Sequence, residues 1–288
     1  MELQPIDAVD RISKEDFREL YLKTNRPVVI RKLADDWPAR KKWSLSHMKE
    51  RLGRHTVPLY RTGAIDPGAR PNSPVTEMKF ADYIDLIEAG PTDLRIFLLN
   101  AFRHEPSLLE DYRAPDLMDR FQKRFPMLFF GSRGSWVFLH FDIDLSPVFH
   151  TQFHGRKRAV LFAPEYSVPL YKIPFSVRSF MDLNVEQPDY GKYPALRHVR
   201  GWEATLEHGD TLFMPSGFWH HMRYLENGFA LSQRALGNLT THLKFVRNIL
   251  VAHQMEAAAR KIGGQSWMEY KDRLAFRRAE RFLRSADA

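Results

Sequence analysis

Two β-type runs of the 288-residue sequence end in side chains that could bind a metal ion. The run SWVFLHFD carries His140 and Asp142, whose side chains should project together because residues two apart on a strand share a face. By itself, such a pair more often has a structural, hydrogen-bonded role. Eighty residues after His140, the run GDTLFMPSGFWHH ends in His220 and His221. One carboxylate and two imidazoles form the facial triad that holds iron(II), so we predict a metal site.

Only one of the two adjacent histidines can easily face this metal ion. The spacing of five residues after Pro215 favours His220, and we interpret His221 as a supporting or packing residue. A second histidine pair lies in the β-like run VFHTQFHG. We expect His150 to line the interior of the β structure there, with His154 near its rim.

A basic turn, Gly155-Arg156-Lys157-Arg158, opens the run RAVLFAP. Lys157 and Arg158 lie on opposite faces of this strand. Whichever face is buried, a cation therefore lies at the start of a buried strand. A lysine that points inward would suit one end of a dicarboxylate. The alternative interpretation is a solvated basic turn.

Short β-type runs separated by Gly, Pro and Asp occupy residues 135–234 and must position these side chains. This pattern favours a β-sandwich or barrel, with helical segments on both sides of it. We therefore predict a mainly β fold with helical flanks. The periodicity also predicts several single elements: helices at 44–52 and 80–88, a buried strand at 95–100, a mostly helical stretch at 106–125, a surface excursion at 164–194, and two helices after residue 236 that are separated at Gly263-Gly264.

The composition excludes several classes of protein. The absence of cysteine excludes disulfides, thiolate zinc sites and cysteine nucleophiles. No apolar run is long enough for a transmembrane helix, and the acidic N-terminus does not resemble a secretory signal, so we expect a cytoplasmic protein without membrane contact. The sequence also lacks a P-loop, a dinucleotide-binding glycine motif and the HExxH zinc motif.

Taken together, the motifs resemble a known family. The order H-x-D, then G-R-K-R-A-V-L-F-A-P, then G-D-T-L-F-M-P-S-G-F-W-H-H is similar to the JmjC-type (cupin-like) iron(II)/2-oxoglutarate oxygenases. The stretch N-V-E-Q-P-D-Y-G-K-Y-P extends the likeness, which covers about residues 95–232. It is greatest to the subgroup that contains the asparaginyl hydroxylase of hypoxia-inducible factor and the tRNA wybutosine hydroxylase. The resemblance implies a double-stranded β-helix, or jelly-roll, core.

Carried over by position, the resemblance makes His140, Asp142 and His220 the iron(II) ligands and catalytic centre. It makes Lys157 the partner of the distal carboxylate of the cosubstrate, 2-oxoglutarate. Two positions depart from the family pattern: its strand tyrosine is replaced by Phe97, and its threonine falls on Val137. Other donors must complete the cosubstrate site, and the candidates are His150 and Ser232, with Asn100 behind them.

The resemblance implies hydroxylation of a C–H bond in a macromolecule. We rank a protein or peptide side chain first, a tRNA base second and a small molecule third. Ten basic and five acidic residues between 237 and 288 slightly favour RNA, although an interspersed, solvated helix face is the simpler interpretation. A non-oxidative cupin metalloprotein and a non-catalytic binding module stay open as rivals.

The expected domain organisation has two parts. Residues 1–236 would form the catalytic domain, with an N-terminal α/β part at 1–94 and the barrel core at about 95–236. Residues 237–288 would form a C-terminal helical segment. Its apolar residues must be buried either on the barrel or in a homodimer, and we expect the dimer. Those residues are Leu243, Val246, Ile249, Leu250, Trp267, Leu274, Phe276 and Phe282.

Overall fold

Two β-sheets dominate the protein, which a computed structural model describes over residues 1–61, 73–122, 126–236 and 254–286. The strands of these residues are β1 (Glu2–Pro5), β2 (Asp7–Val9), β3 (Val28–Ile30), β4 (Thr56–Arg61), β5 (Thr76–Lys79), β6 (Leu94–Leu99), β7 (Met127–Gly131), β8 (Trp136–His140), β9 (Val148–His154), β10 (Lys157–Phe162), β11 (Arg200–Leu206), β12 (Thr211–Met214), β13 (Trp219–Tyr224) and β14 (Gly228–Arg234). The α-helices are α1 (Lys14–Phe17), α2 (Pro38–Lys42), α3 (Leu45–Leu52), α4 (Phe80–Ala89) and α5 (Gln254–Ala286), with a π-helical turn at Arg18–Leu22 and 3-10 turns at Ala101–Arg103, Pro106–Glu110, Pro164–Ser167 and Pro194–His198.

The eight strands from β7 to β14 form the core. One sheet contains β12-β9-β14-β7 in this order, and the other contains β11-β10-β13-β8. All neighbours within these two groups are antiparallel. This arrangement is a jelly-roll, so the prediction of a mainly β, double-stranded β-helix fold is confirmed.

The N-terminal elements extend both sheets. Strand β1 pairs in parallel with β11, and β3 pairs with β12. On the other side, β6, β4 and β5 continue the larger sheet beyond β7. Helix α3 begins where Ser44 accepts a hydrogen bond from the backbone N–H of His47, and helices α3 and α4 bury their apolar faces against the sheet. The sheet is continuous across residue 94. The boundary there between an N-terminal α/β part and the barrel core stays a prediction.

The prediction of a mostly helical stretch at 106–125 is wrong. The described part of this stretch has one 3-10 turn, Pro106–Glu110, followed by irregular structure. Pro115 lacks an N–H group for a helical hydrogen bond. The buried carboxylate of Asp111 accepts a 2.9 Å hydrogen bond from the Trp43 indole, and this contact fixes the segment against α2 and α3.

The excursion between β10 and β11 is present, but much of it is buried rather than on the surface. Its side chains Tyr171, Leu183 and Tyr193 are almost fully buried. Helix α5, kinked at Gly264, covers them, and its Phe276 stacks on Tyr193 with ring centroids 5.7 Å apart. In the part of the chain that the structure describes, no helix is long and apolar enough to cross a bilayer.

Candidate metal and cosubstrate site

The structure brings the three predicted metal ligands together between the two sheets. His140 is the last residue of β8 and lies opposite His220 of β13, with ring centroids 4.2 Å apart. Asp142 follows two residues later, where β8 has ended. One possible ligand atom from each of the three side chains lies within 4.8 Å of the other two.

Backbone carbonyl groups orient both imidazoles. The Nδ1 atom of His140 is 2.9 Å from the Phe138 carbonyl oxygen, and that of His220 is 3.2 Å from the Phe218 carbonyl oxygen. A carbonyl oxygen only accepts, so each Nδ1 carries the proton and donates it. Each Nε2 then keeps its lone pair, which is the state that a metal ligand needs.

The electrostatic surroundings keep the imidazoles neutral and Asp142 charged. Burial, together with the neighbouring His220, lowers the pKa of His140 to about 3, and burial also lowers the pKa of His220. Burial alone would raise the pKa of Asp142. The guanidinium of Arg234 and the two imidazoles outweigh that effect, so this pKa is lowered. Arg234 Nη2 donates to Asp142 Oδ2 at 3.1 Å and fixes the carboxylate.

Strand alternation points the adjacent His221 away from the triad. The pairing of β13 with β10 is regular through His220, His221 and Met222, and the register change against β8 comes from one extra residue in β8. His221 packs on Trp136, with ring centroids 5.8 Å apart. Its Nε2 atom is 3.7 Å from a Glu186 carboxylate oxygen, which is beyond hydrogen-bond distance. The contacts of His221 therefore lie outside the triad.

The three residues predicted to bind the cosubstrate form a hydrogen-bonded chain. Lys157 Nζ is 3.1 Å from His150 Nε2, and His150 Nδ1 is 2.7 Å from Ser232 Oγ. A protonated lysine only donates, so Nε2 accepts and Nδ1 donates to the serine. In the pairing of β10 with β13, Lys157 lies opposite Tyr224. Tyr224 is four residues beyond His220 on β13. This chain therefore lies at the end of the cavity away from the triad.

Lys157 points into the protein and Arg158 points out. The ammonium group of Lys157 is buried, and its Nζ lies 4.2 Å from the centre of the Tyr224 ring. Burial lowers the pKa of this lysine to about 7. Arg158, on the opposite face of β10, forms ion pairs of 2.6 Å with Glu186 and Glu203.

One cavity contains both the metal triad and the hydrogen-bonded chain of Lys157, His150 and Ser232. Side chains from both sheets line it. The positions where the family has a tyrosine and a threonine, Phe97 and Val137, both face this cavity. Asn100 follows β6 and is not among the described residues that line the cavity. The lining residues are Phe97, Phe129, Val137, His140, Asp142, Val148, His150, Lys157, Met214, His220, Met222, Tyr224, Ser232 and Arg234.

Sequence reasoning missed two of the polar lining residues. Arg234, which pairs with both Asp142 and Asp144, follows Ser232 by two positions on β14. Tyr224 follows His220 by four positions on β13. Strand alternation from a candidate ligand would have found both, because side chains two and four residues apart share a face.

The donor set fits iron(II). Two oriented, neutral imidazoles and one carboxylate match the facial triad of non-haem iron sites, which leaves open coordination positions. A buried ammonium group at the far end of the same cavity fits a dicarboxylate cosubstrate.

A jelly-roll that holds two histidines and an aspartate at one end of its interior defines a cupin-like protein. The chain belongs to the cupin-like domain family, whose family model matches residues 14–236. The resemblance to the JmjC-type, cupin-like oxygenases is therefore confirmed.

Several curated proteins are similar to this chain. It is 28% identical over 230 residues to lysine-specific demethylase 8 of Xenopus tropicalis, covering 76% of this chain and 50% of that protein. The corresponding protein of Danio rerio is 30% identical over 246 residues, which are 80% of this chain and 59% of the relative. A tRNA wybutosine-synthesizing protein 5 of Gallus gallus is 26% identical over 250 residues, 79% of this chain and 76% of that protein. The chain thus spans 50% and 59% of the length of the two lysine demethylases.

Proposed function

We propose that the protein is an iron(II)/2-oxoglutarate-dependent dioxygenase that hydroxylates a C–H bond of a protein or peptide side chain. The observation that carries this proposal is the pairing of two sites in one cavity. His140, Asp142 and His220 offer a metal triad, and Lys157 offers a buried cation beyond it. A cupin that catalyses non-oxidative chemistry needs the triad but has no use for the lysine.

Iron(II), bound with 2-oxoglutarate and dioxygen, would supply the oxidation of C–H to C–OH, with 2-oxoglutarate converted to succinate and carbon dioxide. The residues of the chain have other tasks. His140 and His220 would bind the metal through Nε2, and Asp142 would bind it through a carboxylate oxygen. Lys157 would donate a charge-assisted hydrogen bond to the far carboxylate of 2-oxoglutarate.

The remaining lining residues support this role by shape and polarity. Arg234 holds the Asp142 carboxylate in one orientation. The apolar side chains between the two polar ends, Val137, Val148 and Met222, limit the access of water to the reacting groups.

Two of the relatives support a protein substrate. Lysine-specific demethylase 8 and the arginine-specific demethylase JMJ20 of Arabidopsis thaliana are named for side chains of proteins. By analogy, the C–H bond would belong to a side chain or to a methyl group carried by one. In the second case, the C–N bond of the hydroxymethyl group would break, which releases formaldehyde and leaves a hydrogen on the nitrogen.

A tRNA base is the second candidate substrate. The chain covers a larger share of the tRNA wybutosine-synthesizing relative than of the lysine demethylases, 76% against 50% and 59%. The described helix α5 carries eight Lys or Arg against four Asp or Glu, an excess of four positive charges that could neutralise phosphate groups.

Cofactor use can be tested without knowing the substrate. Anaerobic addition of iron(II) and 2-oxoglutarate should produce the metal-to-ligand charge-transfer band of a chelated 2-oxo acid. The His221→Ala variant should keep this band, and the His220→Ala variant should lose it. Iron binding without the band would favour a non-oxidative cupin, and no iron binding would favour a binding module.

The substrate class needs a separate experiment. The iron-loaded enzyme is incubated with proteins and, in parallel, with RNA of the source cells, and each pool is analysed by mass spectrometry. We expect the gain of one oxygen, or the loss of a methyl group, in the protein pool. A change confined to the RNA pool would make the tRNA base the substrate.

A homodimer and a cytoplasmic location stay predictions. Phe276 and Phe282 of α5 pack against the same chain, on Tyr193 and His198, which leaves less apolar surface for a partner. Leu243, Val246, Ile249 and Leu250 lie outside the described residues. Light scattering at micromolar concentration would decide, since a monomeric mass would contradict the dimer.

A further inference from the structure

In the part of the chain that the structure describes, the most exposed aromatic side chains are Phe175 and Tyr270. They are 44% and 46% exposed, and both belong to one cluster. Each ring packs against Trp267, with ring centroids 6.0 Å and 5.7 Å apart and planes inclined by 33° and 22°. We call Phe175, Trp267 and Tyr270 the aromatic platform. Apolar surface that stays exposed on a folded chain is typical of a binding site for a partner.

Phe175 lies at the tip of a tight turn, at a position that normally takes glycine. The backbone N–H of Ser176 donates to the Ile173 carbonyl oxygen at 3.1 Å, which closes the turn. Pro174 occupies its second position, and Phe175 occupies the third with a φ of 58°. This turn favours glycine there, because a bulky side chain at positive φ is strained. A strained residue that also exposes its ring indicates a functional role.

The Trp267 ring is fixed from within helix α5. Its indole N–H donates to a Glu256 carboxylate oxygen at 2.9 Å, and the buried Lys271 pairs with the same carboxylate. The Lys271 Nζ atom also lies 5.9 Å from the centre of the Trp267 ring. These contacts join the two segments of α5 on either side of the kink at Gly264. A ring that is already fixed loses little conformational entropy when a partner binds it.

The platform lies close to the metal triad. Arg178, three residues after Phe175, forms an isolated antiparallel bridge with His140. Backbone hydrogen bonds flank this pair on both sides, so the two side chains project from the same face. Three extended residues span at most about 11 Å, and the Cα atoms of such a pair are about 4.5 Å apart. An extended peptide on the platform would therefore reach His140 within about five residues.

Two pairs of like charges lie on either side of the turn. Burial lowers the pKa of Lys172, and the like charge of Arg278 adds to this effect. Burial also lowers the pKa of Arg178, where Asp272 opposes the shift and the like charge of Arg260 adds to it. None of these four cations forms an ion pair within the described residues, whereas Lys271 and Arg273 of α5 do. This excess of positive charge favours a negatively charged partner.

We propose that the aromatic platform and its flanking cations bind an acidic segment of the protein substrate, anchored by an aromatic side chain of that segment. This inference rests on the proposed function. Tryptophan, tyrosine and arginine contribute most of the binding energy of protein interfaces, and exposed rings pair well with a further ring. An RNA chain has a phosphate at every nucleotide and would meet the carboxylates of Glu269 and Asp272. A peptide has its acidic residues only at particular positions and can avoid them.

The test uses three labelled polymers, because the natural substrate is unidentified. They are a copolymer of glutamate and tyrosine, poly-glutamate, and single-stranded poly(U) RNA. Fluorescence anisotropy with the metal-free protein measures the three affinities without turnover. We expect the wild type to bind the copolymer about threefold to tenfold more tightly than poly-glutamate, because only the copolymer supplies aromatic rings.

Variants separate the aromatic contribution from the ionic one. Phe175→Gly and Tyr270→Gln should each weaken copolymer binding by about threefold to tenfold and leave the affinity for poly-glutamate within about twofold. Arg260→Gln should weaken the binding of both acidic polymers alike. Because glycine suits positive φ, Phe175→Gly should fold and melt close to the wild type. The control is Leu109→Ala, which removes an equally exposed apolar side chain on another turn and should change no affinity.

Several outcomes would overturn the inference. Equal affinities of the wild type for the two acidic polymers, or wild-type affinities in both platform variants, would exclude an aromatic anchor. Tighter binding of poly(U) would make RNA the partner. A dimer that Phe175→Gly converts to a monomer would show that a second copy covers the platform, and failure of both platform variants to fold would make it structural. Absence of the charge-transfer band in the wild type would instead contradict the proposed function, and the metal-free assay keeps this result distinct.

Discussion

The two ends of the cavity differ in how their charges are matched. At the metal end, the Asp142 and Asp144 carboxylates face the single guanidinium of Arg234, so one negative charge is left over. At the other end, the ammonium group of Lys157 contacts His150 and the Tyr224 ring and has no carboxylate partner among the described residues. The first end is arranged for a cation, and the second for an anion. The interior of the protein thus has two complementary charge imbalances, which a metal ion at one end and an anionic ligand at the other would neutralise.

Removal of a triad residue should have the largest effect, because it abolishes the metal site. His140→Ala or Asp142→Ala should lower the affinity for Mn(II) by at least about a hundredfold and abolish succinate formation. His220→Ala should do the same, and His221→Ala, whose contacts lie outside the triad, should have a much smaller effect. Calorimetry with Mn(II) and a succinate assay give the two readouts. Undiminished succinate formation by His140→Ala or Asp142→Ala would contradict the assignment.

Removing the charge of Lys157 should weaken cosubstrate binding and leave metal binding intact. Lys157→Ala should raise the dissociation constant for 2-oxoglutarate by about tenfold to a hundredfold, while Mn(II) still binds. Arg158→Ala is the matched control, because it removes a neighbouring cation that points to Glu186 and Glu203 on the other face of β10. If Arg158→Ala proved the more sensitive variant, the role given to Lys157 would be wrong.

The pH dependence of cosubstrate binding should report the protonation of Lys157. Burial lowers the pKa of Lys157 to about 7, and a bound carboxylate should raise it again. Below about pH 7 the lysine is protonated with and without ligand, so the affinity should change little. Above that value, binding requires uptake of a proton, and the affinity should fall by up to about tenfold per pH unit.

Calorimetry in buffers of different ionisation enthalpy would detect this proton uptake directly. The same measurement on Lys157→Met should show a flat profile. An unchanged slope in that variant would assign the proton to another group, such as His150, which contacts the lysine.

The smallest effect is expected from restoring a hydroxyl group at the cosubstrate end. Phe97→Tyr places an O–H donor on a ring that already lines the cavity, and it should tighten 2-oxoglutarate binding by about twofold to tenfold. Competition titrations can resolve this gain. A Phe129→Tyr variant is the control, since this neighbouring ring also lines the cavity. Equal gains in both variants would show that the position of the hydroxyl does not matter.

Much of the site was predictable because its geometry is local. His140 and Asp142 share a face, and Lys157 and Arg158 lie on opposite faces, because side chains alternate along a strand. The helix start at Ser44 and the kink at Gly264 likewise depend on a few neighbouring residues. The mainly β fold was predictable from short apolar runs between turn residues. The irregular structure that follows the 3-10 turn at Pro106–Glu110 was not predictable, because contacts of Asp111 with residues distant in sequence decide it.

Neighbouring residues in the chain specify which side chains face the same way and where strands and helices begin. Which of these side chains meet depends on how the strands pack in three dimensions. Asp142 pairs with Arg234, 92 residues later, because β14 lies beside the site that ends β8. Lys157 meets His150 and Tyr224 because β9 and β13 bring these side chains to the same end of the cavity. Alternation along a strand depends on neighbouring residues alone, whereas the charge around a buried group depends on strands that are distant in sequence and adjacent in space.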